Sequence, residues 1–97
     1  MKGLEKSIDE IRKLITSRAI MRINELLDMA SEEFWSRELG LQKRTIAKRY
    51  VNPQTYRRKE TVALALYLNL KEGTVIRLIN KEIVEQKMRA REGQPAK

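Results

Sequence analysis

The stretch LGLQKRTIAKRYVNPQTYRRK, residues 39–59, holds seven Lys or Arg and no Asp or Glu. Its flanks are different. Residues 1–38 carry 7 basic and 8 acidic side chains, net −1, and residues 60–97 carry 7 and 5, net +2. The chain of 97 residues has a formal net charge of +8, so nearly all of the excess sits in these 21 positions. With a sequence pI ≈ 10.1, such a patch seeks a polyanion.

The stretch divides on inspection. Leu39 to Gln42 reads as a turn, with Gly40 as a left-handed helix cap. Lys43–Val51 reads as a short helix that Pro53 stops, because the residue before a proline is biased away from helical dihedrals. YRRK is a polar connection. Before the turn, Ser31 is a candidate N-cap, and Glu32 and Glu33 suit the positive end of a helix dipole. Phe34, Trp35 and Leu39 supply that helix's buried side. Two helices joined at a tight glycine turn form the helix-turn-helix pattern, in which the second helix enters the major groove of duplex DNA. At about 100° per residue, Lys43, Ala47, Arg44 and Lys48 share one face, with Ile46 opposite and Arg49 turned toward the Ile46 side.

Further out, Leu4, Ile8, Ile11 and Ile15 recur at spacings of three and four, an amphipathic helix. Residues 20–30 continue helically, as one helix with the first or as a second one. ETVALALYL, residues 60–68, is apolar nearly all round and predicts a buried helix that Asn69 breaks. A last helix runs from Glu72 to about Met88 with Val75, Ile76, Ile79, Ile83 and Val84 inward. The expected fold is all-α, a compact bundle of five or six short helices. Residues 1–19 read as an amphipathic helical extension, 20–88 as the helix-turn-helix domain, and 89–97 as a disordered tail.

Several function classes drop out. The chain has no Cys and no His, which removes disulfides, thiolate metal sites and the commonest general base. Ser7, Ser17, Ser31 and Ser36 therefore lack an activating imidazole. Glu32 and Glu33 are adjacent and face different directions. No Gly-rich phosphate loop or metal-ligand spacing occurs. The reading is not an enzyme, with no cofactor and no small-molecule site. The longest apolar run, VALALYL (62–68), falls far short of the roughly 20 residues a membrane-spanning helix needs. The N-terminus lacks the apolar core of a signal peptide. A cytoplasmic, nucleoid-associated location is expected.

From Leu26 to about Leu78, roughly half of the chain, the sequence resembles the lambda-repressor-like (XRE/Cro-CI) helix-turn-helix family, in register and without a gap. Trp35 stands where that family has a buried Leu, Ser36 where it has a small residue, and Leu39 and Gly40 at its Leu-Gly pair. Ile46 occupies the buried β-branched position of the second helix. VALALYLNL mirrors a segment of the kind LKIAKALGV, with Ala65, Leu68 and Leu70 in matching places, and KEGTVIRLI fits the usual final helix. The resemblance implies a small sequence-specific double-stranded DNA-binding regulator of the repressor type. It assigns base reading to Gln42, Lys43, Arg44 and Lys48. It assigns phosphate contacts to Ser31, near the start of the first helix, and to Thr55, Arg57, Arg58 and Lys59 after the second. It also implies a dimer on palindromic sites.

Two positions depart from that pattern. Arg49 stands where the family has an apolar residue, and Tyr50 replaces a common Glu. Either the helix unwinds early, or Tyr50 and Val51 fill the core while Arg49 snorkels out. Pro53 follows the family's usual Gly position, here Asn52.

Other readings of the same residues remain. A basic run can be a merely solvated face. Trp35, Phe34 and Tyr67 could stack on single-stranded bases, although Trp35 and Leu39 share a helical face that suits core packing. Tyr50 and Tyr56 could bond a phosphate or plug the core. The stripes Leu4, Ile8, Ile11, Ile15 and Ile76, Ile79, Ile83 could form a homodimer or pack within one chain. A protein-interaction module on the same scaffold, antitoxin-like or a phage regulatory partner, is the alternative from another class, and RNA binding is a third.

Overall fold

Ser7 opens the first helix by a reciprocal cap. Its hydroxyl accepts the Glu10 N–H at 3.2 Å, and the Glu10 carboxylate accepts the Ser7 N–H at 3.3 Å. The computed structural model describes residues 7–93, and six α-helices account for most of them. They are α1 (Ile8–Thr16), α2 (Ile23–Leu27), α3 (Glu32–Leu39), α4 (Lys43–Val51), α5 (Arg58–Leu68) and α6 (Glu72–Gly93), with a 3₁₀ turn at Pro53–Thr55. No strand occurs among the described residues.

Residues 7–30 form two helices. Arg18 takes a left-handed φ of 70° between them, and the Ile20 N–H returns to the Leu14 carbonyl at 3.0 Å. That turn folds α1 back onto the body. Ile11 and Ile15 are buried beside Ile23, Leu26 and Leu27 of α2, Trp35 of α3, Ile46 of α4, Leu64 and Leu68 of α5, and Val75, Leu78 and Ile79 of α6. α1, the described part of residues 1–19, thus packs into the common core. As dimer surfaces Ile11 and Ile15 are excluded, Ile8 is half-buried against the same core, and Leu4 lies outside the described residues.

Phe34, Trp35 and Tyr67 meet edge to face, with ring centroids 5.4–6.2 Å apart. The Trp35 indole N–H donates to the Leu27 carbonyl at 2.8 Å, so its one polar group is satisfied inside. These rings are core, as the helical spacing suggests, and are not open for base stacking.

The last two helices differ from expectation in which sides are buried. α5 is not buried all round: Leu64, Ala65 and Leu68 are inside, but Leu66 is 77% exposed. α6 packs against α5, α2 and the 3₁₀ turn. It buries Val75, Leu78, Ile79 and Glu82, while Ile76 and Val84 are 42% and 55% exposed. At about 100° per residue Val84 lies opposite that seam and Ile76 on its flank. The helix also continues to Gly93, past the expected end at Met88, so residues 89–93 are helical and only 94–97 lie outside the described residues. A charged hub fixes the middle of α6. Glu82, fully buried, accepts from Arg22 at 3.2 and 3.3 Å, from the Asn24 N–H at 3.3 Å and from Arg89 at 3.3 Å.

Candidate nucleic-acid interface

Ser31 caps α3 as its residue type predicts, its hydroxyl accepting the Phe34 N–H at 3.1 Å. Gly40 closes the helix with φ 69°, and nothing lies within 4 Å of where a Cβ would be. Glycine is required there by the dihedral and not by space. The Leu41 N–H returns to the Ser36 carbonyl at 3.1 Å, and the Ser36 hydroxyl donates to the Leu41 carbonyl. These contacts set α4 at a fixed angle to α3, with Ile46 buried between them and Lys43, Arg44 and Lys48 exposed.

Arg49 resolves the departure noted above, and both expectations for it fail. The helix does not unwind before Val51, and the guanidinium does not snorkel. Arg49 is only 7% exposed, while Tyr50 and Val51 are the exposed pair. Its Nε and Nη2 donate to the two oxygens of Glu60 at 2.7 and 3.0 Å, and its Nη1 donates to the Thr55 hydroxyl at 3.1 Å. Glu60 is 2% exposed and also accepts the Arg57 N–H at 3.0 Å, completing the first turn of α5. Burial pushes the Glu60 carboxyl up, but the hydrogen bonds from Arg49 and the Arg57 N–H outweigh it and hold it below the usual carboxylate range. The hydrogen bonds to Glu60 raise the Arg49 guanidinium above its ordinary value against the cost of burial. The signal was present in the sequence: Glu60 is the first acid after 21 acid-free residues. Spacing alone does not pair it with a residue eleven positions earlier.

One open groove runs over this clamp between α4 and the start of α5. Gln42, Arg44 and Lys48 line one side, Arg57 and Lys59 the other, with Arg49 and Glu60 at the floor. Arg44 Nε donates to Gln42 Oε1 at 2.9 Å, so these two side chains are held together. Lys48, Arg57 and Lys59 make no ion pair among the described residues. The structure thus brings together five of the nine residues picked from sequence. The other four are engaged elsewhere. Lys43 reaches Glu33 of α3 at 3.5 Å, and Arg58 reaches Glu72 of α6 at 3.3 Å, both as exposed pairs. Thr55 spends its hydroxyl on Arg49 and on the Asn52 carbonyl at 2.6 Å. Ser31 is the α3 cap.

Comparison of the chain with protein-family models, with curated proteins and with solved structures finds no match.

The site therefore stands on its own residues. Tyr50 and Tyr56 do not face the groove. The Tyr50 hydroxyl donates to Asp28 at 2.7 Å, and Tyr56 packs half-buried on the core, where burial pushes its phenol up. Three further polar groups brace α4 from behind. Asn24 Nδ2 and Gln86 Nε2 donate to the Tyr50 carbonyl at 2.9 and 3.3 Å, and Tyr50 itself ties α4 to α2. These partners lie in distant segments, and no local pattern marks them. Among the described residues no helix is long and apolar enough to cross a membrane.

Proposed function

We propose that this chain binds double-stranded DNA sequence-specifically, as a small transcriptional regulator of the repressor type with α4 in the major groove. One observation carries the reading: Arg44 and Lys48 of α4 and its N-cap Gln42 share a groove with Lys59 of α5 and its N-cap Arg57, and the groove's one carboxylate is spent on Arg49. A short exposed helix with Arg and Lys on its outer face suits guanine O6 and N7, and a second row of cations beside it suits the flanking phosphates. The likeness to lambda-repressor-like domains, read from residues 26–78, supports the same assignment.

Selection of bound duplexes from a random pool at about physiological salt tests it, with a defined consensus as the expected result. Replacing Arg44 by Ala should relax preference at one base position, at a cost of about 1–3 kcal/mol. Replacing Lys59 by Ala should weaken all duplexes alike and make the salt slope shallower by about 0.9. If the parent enriches no duplex, or if both variants bind every duplex as the parent does, the reading is wrong. Equal binding of matched RNA would move it to the RNA alternative.

The exposed side of α6 favours a second surface. Ile76 and Val84 line a shallow groove with Gly73 and Asn80. Of the two apolar stripes read from the sequence, this side of α6 is open to a second copy on a palindromic site or to a partner protein, whereas Ile11, Ile15 and Ile79 are buried.

A further inference from the structure

We infer that the buried Arg49–Glu60 pair is the positioning element that sets which bases α4 can reach, although neither side chain touches DNA. This rests on the DNA-binding reading above. The pair joins the two halves of the groove. Arg49 belongs to the helix that carries Arg44 and Lys48, and Glu60 to the helix that carries Lys59 and is capped by Arg57. The fork is two-pronged, at 2.7 and 3.0 Å, so it fixes an angle as well as a distance. Its third nitrogen bonds Thr55 in the intervening turn, and Glu60 also holds the Arg57 N–H. The pair thereby spans the end of α4, the connecting turn and the cap of α5.

An apolar pair of similar volume would fill the same space, and replacing a buried ion pair that way is often neutral for stability. It would not fix the angle between the helices, because dispersion contacts have no direction. A base edge distinguishes partners through bidentate hydrogen bonds a few ångströms long. The rotation of α4 against the phosphate-holding cations of α5 is then what selects the sequence. Arg49 is itself shielded, so it releases no counterion and leaves the salt slope untouched.

Two variants test this against the consensus selected by the parent chain. Arg49→Lys keeps the charge but cannot span both Glu60 oxygens. The double variant Arg49→Met/Glu60→Met removes both charges together. Each is melted first to establish cooperative folding, then assayed on the selected and a scrambled duplex across a salt series. The expected result is a loss of preference of roughly tenfold, about one mismatched base pair's worth. The salt slope should be unchanged in both variants, since no phosphate contact is removed. Folded variants that retain the parental consensus and preference overturn the inference while leaving the DNA-binding reading intact. A shallower slope would make Arg49 a phosphate contact and overturn it too. Loss of cooperative folding in both variants would mean that the pair holds the fold and not the register, the third overturning result. A parent that selects no duplex defeats the underlying reading instead.

Discussion

Arg49 is where the polar and apolar patterns of this chain conflict. On a helical wheel it belongs to the core side, and the structure buries it there with a matched carboxylate. Breaking a buried pair by removing one partner costs about 3–5 kcal/mol, because the remaining charge is stranded. Arg49→Ala should lose that much in urea unfolding at pH 7, a large share of the ~5–15 kcal/mol of a domain this size. The pH dependence has a definite sign. In the parent, Glu60 is depressed on folding, so its contribution is present above the ordinary carboxylate range and lost as pH falls through the folded value. In the Arg49→Ala protein the stranded Glu60 favours its protonated form. The deficit against the parent should therefore shrink between pH 7 and pH 5, and a deficit that grows would mean that Glu60 has found another partner. The position of Arg49 on the wheel is legible in the sequence. Its partner is not, because a side chain of that length can meet any element packed nearby.

At the scale of elements, the helix boundaries follow local chemistry closely. Ser31, Gly40, Pro53 and Asn69 each stop or start a helix where their residue type demands, with Gly40 and Asn69 in left-handed conformations. The same substitution should act in opposite directions at two glycines. Gly40→Ala meets no atom, so its cost is the left-handed dihedral alone, about 1–2 kcal/mol. Gly73→Ala also meets no atom, but it lies inside α6, where alanine is the better helix former by up to ~1 kcal/mol. Thermal melts of both variants check the pair of signs. Equal effects would mean that the α3–α4 turn tolerates another geometry. Which side of a helix is buried was less legible. Isoleucine, valine and leucine together occur around more than half of α6, so periodicity alone could not separate Ile76 and Val84 from Leu78 and the buried Glu82.

For the whole molecule the balance of charge is the organising fact. Most carboxylates are engaged internally, such as Glu60 by Arg49, Glu82 by Arg22 and Arg89, and Asp28 by Tyr50. The cations of the groove are left with no such partner, apart from the clamp beneath them. The outer side of α6 supplies an exposed apolar surface in Ile76 and Val84. Ile76→Glu/Val84→Glu should change stability by no more than about 0.5 kcal/mol, as exposed substitutions do. If that face joins two copies, the variant should be a monomer at concentrations where the parent sediments as a dimer. It should also lose affinity for a palindromic duplex but not for a half-site. A parent that is a monomer at tens of micromolar, on DNA and off it, removes the dimer from the proposed function.

The sequence by itself determined the all-helical class, the starts or stops at Ser31, Gly40, Pro53 and Asn69, and the concentration of charge between Leu39 and Lys59. Each of those depends on neighbours a few residues apart, within reach of dihedral preference and periodicity. It also marked Arg44 and Lys48, because polar side chains at helical spacing declare their face, while Gln42, Arg57 and Lys59 came from the likeness to a family pattern. Only the tertiary structure decided that α1 belongs to the core, that Lys43 and Arg58 pair with Glu33 and Glu72, and that Arg49 lies buried on Glu60. Those outcomes depend on which surfaces meet when the helices pack. Burying a charge is favourable only where the fold brings its counter-charge within hydrogen-bonding distance.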